Sequence, residues 1–291
     1  RAGAGTINIP LAKLSQRGIP VFNAPGANAN AVKELVLAGL FLAARNICQA
    51  WNYVRKLEGD DHALEAAMEQ GKKKFVGYEL PGRTLGVVGL GAIGVEVANA
   101  ALHLGMKVMG YDPQITVQRA WQLSSGVEQA LSLDDLFARC DAVTVHVPLN
   151  DHTRGLVNAS RISLMRKGSA VLNFARGQIV DEAAVLAGLD SGQLSAYVCD
   201  FPTNAVRAHA RVVALPHLGA STGEAEENCA ILVADTLREF LENGNVRYSV
   251  NFPEAVLPRA GVSRLAIANA NVPNMVGQIS TCLAEARLNI A

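Results

Sequence analysis

Thr84-Leu85-Gly86-Val87-Val88-Gly89-Leu90-Gly91-Ala92-Ile93-Gly94 is the stretch of sequence that decides the fold. The run Thr84–Val88 is rich in β-branched and apolar residues, which predicts a buried strand. The next six residues fit the pattern G-x-G-x-x-G, and apolar residues recur at helical spacing from Ile93 to Leu104. A strand, a glycine turn and a helix in this order predict a dinucleotide-binding unit.

The residues of the turn have separate physical tasks. Gly89 permits the tight turn, Gly91 lets a pyrophosphate approach the backbone, and Gly94 allows the helix to pack closely on the strand. Ala92 and Ile93 begin the helix, whose free N–H groups and positive dipole end favour an anion. We therefore predict that these five residues bind the cofactor.

Asp112 predicts which dinucleotide is bound. It ends a second predicted strand, Lys107–Tyr111, about 18 residues after Gly94. A carboxylate at this place accepts hydrogen bonds from the adenosine ribose and repels a 2′-phosphate, so NAD is predicted rather than NADP. A glycine pattern alone would be only a flexible loop, but the strand, the helix and Asp112 in register favour a cofactor site.

Composition excludes several other classes of protein. The 291 residues carry 26 Lys and Arg against 26 Asp and Glu, so nothing favours a nucleic acid or a membrane as partner. The five cysteines are scattered without a C-x-x-C pair, which fits reduced thiols in a cytoplasmic protein better than a disulfide framework or a zinc site. The six histidines have no metal-ligand spacing, so no metal is predicted. The apolar run from Leu35 to Ala44 is too short to span a bilayer.

Strands and helices are predicted to alternate from Leu80 onward. The predicted strands are Thr84–Val88, Lys107–Tyr111, Ala142–Val147, Ala170–Phe174, Ala196–Asp200 and Val212–Leu215. The predicted helices are Ile93–Leu104, Leu133–Cys140, Ala159–Met165, Asp181–Leu189 and Glu224–Leu241. This order predicts an α/β fold with a doubly wound, Rossmann-like parallel sheet that is covered on both faces.

Two further segments are predicted outside this alternation. Residues 31–57 read as one long helix that is apolar almost all round, so it is expected to be buried or to form an interface of a homodimer or homotetramer. After Pro258, a strand over Leu265–Ala270, a turn and a helix over Met275–Ala286 are predicted. That last piece is too short for a whole domain, and both ends of the chain are expected to be truncated.

Three polar segments close predicted strands at their C-terminal ends, the edge where ligands bind in open α/β sheets. They are Asn173–Gly177, Cys199-Asp200 and Pro216–Thr222. Taken singly, a His after a strand is more often structural, an Arg before Gly is usually a surface charge, and an Asp can merely cap a turn.

Together with other motifs, these segments resemble the D-isomer-specific 2-hydroxyacid dehydrogenases over almost the whole chain. The matching stretches are Arg1–Gly5, Asn23–Asn28, Val87–Gly94, His146–Pro148, Asn173–Gly177, Pro216–Thr222 and Ser249–Pro253. The resemblance implies an incomplete, flavodoxin-like substrate domain over 1–30 and 221–252, and an NAD-binding domain over 31–220. Residues 259–291 are similar to the start of an ACT module, a regulatory domain.

The resemblance also implies roles for individual residues. His217 would be the base that takes the hydroxyl proton, and Arg176 would clamp the substrate carboxylate with its planar fork. Asp200 would hold the nicotinamide amide. The remaining implied positions line the cofactor or face the substrate. The cofactor set is Val147, Pro148, Phe174, Ala175, Arg176, His217, Leu218, Gly219 and Ala220, and the substrate set is Arg1, Gly3 and Asn28, with the loop to Gly5. His146 is as readily structural as functional.

One departure from the family pattern concerns the partner of His217. The family places a Glu a few residues after the position of Asp200, whereas residues 200–205 contain none and Asn204 stands near that place. Either the base is tuned differently, or another acid enters from elsewhere, or activity is reduced.

The implied activity is oxidation of the C2 hydroxyl of a D-2-hydroxy acid by NAD. The ACT-like tail favours D-3-phosphoglycerate as substrate and 3-phosphohydroxypyruvate as product, the first step of phosphorylated serine biosynthesis. The alternatives are a glyoxylate or hydroxypyruvate reductase, and a non-catalytic NAD-sensing binding protein. Asn269 and Asn271 would then face an effector such as L-serine, although Pro273-Asn274 replaces the usual Pro-Gly of that turn.

Overall fold

The computed structural model describes residues 1–6, 8–259, 264–270 and 272–288. The chain divides into two units, one made of residues 25–230 and the other of residues 1–24 with those from 231 onward. No helix in the described part of the chain is both long and apolar enough to cross a bilayer.

The larger unit is built on a parallel sheet of seven strands in the order β3-β2-β1-β4-β5-β6-β7. The strands are β1 (Thr84–Val88), β2 (Lys107–Tyr111), β3 (Val127–Gln129), β4 (Ala142–Val145), β5 (Ser169–Asn173), β6 (Leu194–Cys199) and β7 (Val212–Ala214). The order reverses direction between β1 and β4, which lie side by side, so a crevice is expected beyond their C-terminal ends. The predicted doubly wound sheet is therefore confirmed.

Helices cover both faces of this sheet. The α-helices of the described residues are α1 (Leu11–Gln16), α2 (Ala29–Ala44), α3 (Ile47–Val54), α4 (Asp61–Gly71), α5 (Ala92–His103), α6 (Val117–Gln122), α7 (Leu133–Arg139), α8 (Ala159–Leu164), α9 (Glu182–Ser191), α10 (Asn204–Arg207), α11 (Gly223–Asn243) and α12 (Met275–Glu285). Short 3₁₀ turns lie at Lys72–Phe75 and Gly177–Ile179.

The two faces of the sheet bury separate cores because successive strand side chains point in opposite directions. On β5, Leu172 packs in the core formed with α2 and α5, whereas its neighbour Val171 packs in the core formed with α7, α8 and α9. Gly39 of α2 lies so close to β5 that a Cβ there would stand 3.1 Å from Leu172 and 3.0 Å from Phe174. This contact places α2 beside the end of β5.

The prediction of a single helix over residues 31–57 is wrong. The chain breaks between α2 and α3 at Asn46, which has a left-handed backbone with φ 50°. The segment before β1 docks on the break: the Tyr78 N–H donates to the Ala44 carbonyl at 2.9 Å, and the Asn46 amide donates to the Val76 carbonyl at 3.3 Å. The carbonyl of Ala44 is thus bonded outside the helix.

The smaller unit differs from expectation in its last part. The predicted strand Leu265–Ala270 is not formed, because the segment has no strand partner among the described residues and Leu265 is 71% exposed. The helix predicted to follow it is present as α12. The strand-like piece at residues 20–23 makes a single antiparallel bridge, between Phe22 and Ser249.

The helices α1, α4, α6 and α10 and the strand β3 were not predicted. All except α4 are between three and six residues long, so too few apolar positions repeat for a period to be read. The 11-residue α4 lies in a charged stretch and buries only Gly71, so its apolar pattern is weak.

Candidate active site

The glycine turn between β1 and α5 has the geometry of a close ligand approach. A Cβ on Gly89, whose φ is 90°, would lie 2.7 Å from the His146 carbonyl oxygen, and one on Gly94 would lie 1.9 Å from the Gly89 carbonyl oxygen. Gly91, by contrast, is exposed with open space around it. Two glycines are therefore required by the turn itself, and Gly91 leaves the backbone accessible.

Ala92 and Ile93 form the first turn of α5, directly after this opening. The first N–H groups of a helix have no acceptor within the helix, and they lie at its positive end. These donors are suited to the pyrophosphate of a dinucleotide.

Asp112 is tied to the glycine turn. Its Oδ2 accepts the Leu90 N–H at 2.8 Å, and its Oδ1 accepts the Gln114 N–H at 2.9 Å. The carboxylate is half-buried at the end of β2, and each oxygen retains lone-pair capacity for a ribose hydroxyl. Asp112 thus fixes the turn as well as presenting a negative charge beside it.

The residues after β4 continue this wall. Val147 abuts the glycine turn, since a Cβ on Gly89 would lie 2.8 Å from its Cγ1. Pro148 is exposed. The His146 imidazole accepts or donates a 3.0 Å hydrogen bond with the Thr144 hydroxyl, and burial lowers the pKa of His146 to about 4. His146 is therefore neutral near pH 7, and its bond to Thr144 ties it to β4.

Arg176 lies in the loop after β5, which an asparagine side chain organises. The Asn173 amide donates to the Arg176 carbonyl at 2.9 Å, and its oxygen accepts the Ala175 N–H at 3.1 Å. The side chain of Phe174 is buried against α2. Only the backbone of Phe174 is therefore available to contact a cofactor. Arg176 itself is half-buried and donates to the Ala175 carbonyl at 2.6 Å.

His217 lies after β7 and is held by Asp200 at the end of β6. The His217 N–H donates to the Asp200 carbonyl at 2.9 Å, and its φ is 46°, a left-handed backbone that is uncommon for a non-glycine residue. Such strained positions concentrate at functional sites. The His217 side chain is exposed at the surface of the unit.

Asp200 is 1% exposed, and only one of its two carboxylate oxygens has a hydrogen-bond partner among the described residues. Its Oδ2 accepts the Gly219 N–H at 3.3 Å, while its Oδ1 has no hydrogen-bond partner among the described residues. Burial raises the pKa of Asp200, and the positive charges of His217 and Arg176 partly oppose that shift. A buried acceptor without a partner is suited to a ligand N–H donor, such as the amide of nicotinamide.

Phe201 joins the two predicted catalytic side chains. Its ring centroid lies 4.3 Å from that of His217, and the Arg176 guanidinium carbon lies 5.5 Å from it. Sequence reasoning missed this residue, because an apolar side chain next to a predicted site carries no chemical signal of its own.

Asn204 does not take the place of the missing Glu. It begins α10, and its Oδ1 accepts the Arg207 Nε–H at 2.8 Å. No described residue makes a hydrogen bond with the His217 ring, which instead forms a tilted pair with the Phe201 ring.

The remaining predicted residues are placed as follows. Leu218 is 40% exposed, Ala220 is half-buried, and Asn28 is half-buried at the start of α2. Arg1 and Gly3 belong to the smaller unit: Arg1 donates through its ammonium to the Phe22 carbonyl and through its guanidinium to Asn8, and the Gly3 carbonyl accepts the Ala24 N–H. Their role toward a substrate stays a prediction.

The family model described as D-isomer specific 2-hydroxyacid dehydrogenase, NAD binding domain, matches residues 37–219. These residues contain the whole sheet, the glycine turn, Asp112, Arg176, Asp200 and His217. The chain belongs to this family. Its cofactor is NAD, and the open backbone at Gly91 and the unpaired oxygen of Asp200 fit that molecule.

Curated relatives agree with this assignment. The chain is 35% identical over 299 residues to a D-3-phosphoglycerate dehydrogenase of Haemophilus influenzae, covering 99% of this chain and 69% of the relative. It is 39% identical to the D-3-phosphoglycerate dehydrogenase of Archaeoglobus fulgidus, covering 87% of this chain but 47% of the relative, and human D-3-phosphoglycerate dehydrogenase gives similar figures. The chain thus spans about half the length of most of these relatives.

Solved structures have the same fold. D-mandelate dehydrogenase of Rhodotorula graminis superposes with a TM-score of 0.76 at 28% identity, covering 85% of this chain and 73% of that one. The NAD⁺-bound 3-phosphoglycerate dehydrogenase of Entamoeba histolytica gives a TM-score of 0.68 at 29% identity, covering 87% and 74%.

Proposed function

We propose that this protein oxidises D-3-phosphoglycerate to 3-phosphohydroxypyruvate with NAD, the first step of phosphorylated serine biosynthesis. The observation that carries the proposal is the convergence of Arg176 and His217 on one aromatic ring, beside the buried carboxylate of Asp200. The names of the curated relatives support the choice of substrate.

The proposed chemistry divides between the side chains of the larger unit. Arg176 binds the substrate carboxylate in a planar, two-pronged contact that fixes C2 relative to His217. His217 Nε2 or Nδ1 accepts the proton of the C2 hydroxyl as the C–O double bond forms. NAD, when bound, takes up the hydride from C2. Asp200 would hold the nicotinamide carboxamide through its unpaired Oδ1.

A panel of D-2-hydroxy acids tests the substrate. NADH formation from D-3-phosphoglycerate by the purified protein should exceed that from D-glycerate, glycolate, D-lactate and D-mandelate by at least about 10-fold in kcat/KM, a difference of about 1.4 kcal/mol. Preference for glycolate or D-glycerate would instead support a glyoxylate or hydroxypyruvate reductase. NADH binding without turnover of any substrate would support the NAD-sensing alternative.

L-serine is proposed as an effector through the C-terminal segment. Asn269 lies before the turn that leads into α12, and Asn271 lies outside the described residues. Because the strand expected before this turn is not formed, the ACT-like module itself remains a prediction. Titration with L-serine should lower turnover at millimolar concentration or below. A concentration of 10 mM L-serine is on the order of ten times a millimolar dissociation constant, so it would nearly saturate such a site. An unchanged turnover rate at that concentration would remove the regulatory proposal and leave the catalytic one.

A further inference from the structure

Phe201 lies where its ring contacts both polar side chains of the proposed reaction. The ring planes of Phe201 and His217 are inclined at 43° with centroids 4.3 Å apart, and the Arg176 guanidinium carbon lies 5.5 Å from the same ring. Tilted aromatic pairs and a guanidinium within about 6 Å of a ring are both attractive arrangements.

From this placement we propose that Phe201 is a positioning residue, which holds the His217 imidazole and the Arg176 guanidinium in their working orientations. The inference rests on the proposed function, since it takes His217 as the base and Arg176 as the carboxylate ligand. The inference goes beyond the proposed function because it assigns the orientation of the His217 imidazole to a neutral ring, whereas the family pattern pairs this His with a Glu.

The His217 ring has the Phe201 ring as its aromatic neighbour, and no described residue restrains it by a hydrogen bond. His217 is also exposed. The backbone N–H of His217 is held by Asp200, but this bond fixes only the main chain. Packing on one face is what limits rotation of the imidazole about its side-chain bonds.

Phe201 is itself rigidly supported. Pro202 follows it and restricts its backbone to extended conformations. The Thr203 hydroxyl donates to the Glu182 carboxylate of α9, which anchors the far end of the loop. A Cβ on Gly177 would lie 3.3 Å from the Phe201 carbonyl oxygen and 3.5 Å from the Phe201 Cβ, so the loop after β6 packs against the loop after β5. The ring therefore connects the loops that follow β5, β6 and β7.

The charges around this ring also favour a neutral partner. The ring has two cationic neighbours, Arg176 and, when it holds a proton, His217, while the Asp200 carboxylate is buried beside them. The negative π-face attracts both cations without forming an ion pair with either. Arg176 thus stays available for a substrate carboxylate.

Three variants test the inference: Phe201→Leu, Phe201→Tyr, and Phe75→Leu as a matched control. Phe75 forms a similar tilted pair with Tyr53, at 5.4 Å and 51°, in a part of the unit away from the proposed chemistry. With the best substrate of the panel, Phe201→Leu should lower kcat roughly 10-fold and raise KM several-fold, because a small misplacement of reacting groups is costly. Phe201→Tyr and Phe75→Leu should both keep kcat and KM within about twofold. NADH affinity should be unchanged in all three.

Proton NMR of the imidazole groups supplies a readout that needs no turnover. The chain has six histidines, and the His217 signal is identified by its loss in His217→Asn. The Phe201 ring current should displace that signal in the wild type and in Phe201→Tyr, and the displacement should disappear in Phe201→Leu. This spectrum also shows whether each variant is folded.

The outcomes separate the two proposals. If His217→Asn loses activity while a folded Phe201→Leu retains kcat and KM within twofold of wild type, the inference is overturned and the proposed function stands. If His217→Asn also retains full turnover, His217 is not the base, and the inference about its positioning fails, while the substrate panel decides the proposed function independently. Should Phe201→Leu not fold, Phe201→Met provides the same test with an unbranched side chain of similar size.

Discussion

At Asp200, burial opposes ionisation in the free protein. The carboxylate is 1% exposed, one of its oxygens has no partner among the described residues, and burial raises its pKa. The pKa of Asp200 is therefore higher in the folded protein than in the unfolded chain. Its contribution to stability is complete below the unfolded pKa, where the carboxyl is protonated in both states. That contribution is lost as the pH rises through the folded pKa. At neutral pH the ionised carboxylate therefore costs stability.

Asp200→Asn should accordingly raise the unfolding temperature at pH 7 to 8, and the difference from wild type should shrink as pH falls toward 4. The same change should weaken NADH binding roughly 10-fold, about 1.4 kcal/mol, because an Asn offers one acceptor where Gly219 and a nicotinamide amide need two. Thermal unfolding and NADH titration measure both effects. Asp235→Asn, at an exposed pair with Arg238, is the control and should change stability by less than about 0.5 kcal/mol. A lower unfolding temperature for Asp200→Asn at pH 8 would contradict the account.

Asp112 should set the choice of cofactor through its charge. Asp112→Ala removes the ribose acceptor and two acceptors of backbone N–H groups, so NADH binding should weaken at least about 10-fold and some stability should be lost. Asp112→Asn keeps hydrogen-bonding capacity but removes the charge, so its main effect should be a relative gain for NADP. Kinetics with NAD and NADP measure the ratio. A wild-type protein that already used both cofactors equally would refute this role.

At the scale of elements, α2 and α3 show what periodicity predicts and what it misses. The segment was expected to be buried or to form an interface. Eight of the sixteen residues of α2 are buried, whereas Phe41 is 42% exposed. The break at Asn46 could not be read from the sequence, because it depends on the docking of residues 75–78, which lie some thirty positions further along the chain. Contacts of this kind override local pattern.

The exposed face of these two helices is the proposed contact between two copies of the chain. It carries Phe41 of α2 and Ile47, Trp51 and Val54 of α3, which are 42%, 43%, 60% and 42% exposed and line one depression. A contiguous apolar surface of this kind is typical of an interface.

Trp51→Glu should therefore convert a dimer or tetramer to a smaller species, because it places a charge in that contact. Light scattering or sedimentation of the purified protein measures the mass. Trp121→Glu is the matched control: Trp121 is 85% exposed on α6, and its replacement should leave the mass unchanged. The same mass for wild type and Trp51→Glu would contradict this interface.

For the whole molecule, the sequence predicted the sheet and the glycine turn closely, because both depend on local patterns. The predicted strands Thr84–Val88 and Lys107–Tyr111 coincide with β1 and β2, and the motifs after β5, β6 and β7 meet at one edge as parallel topology requires. The role of Phe201 could not be predicted, since it arises only when three loops come together. The prediction of a strand over Leu265–Ala270 was wrong for the opposite reason: the apolar pattern is present, but the described residues provide no partner strand.

Arg176 and His217 are proposed to act on the same substrate in different steps, so replacing them should change kcat and KM differently. Arg176→Lys should raise KM strongly and lower kcat as well, since a point charge cannot reproduce the two-pronged contact. His217→Asn should act on kcat, because His217 handles a proton that moves in the transition state. Asn also tolerates the left-handed backbone at this position, so the loop should be preserved.

The most direct measurement is kcat of His217→Asn with D-3-phosphoglycerate and saturating NAD, together with the NADH dissociation constant of the same preparation. We expect a loss of roughly 10² to 10⁴ in kcat with NADH affinity retained, because the proposed sites for the phosphates and the adenosine are at Gly91 and Asp112. A His217→Asn protein that turned over at near the wild-type rate at its pH optimum would show that another residue is the base.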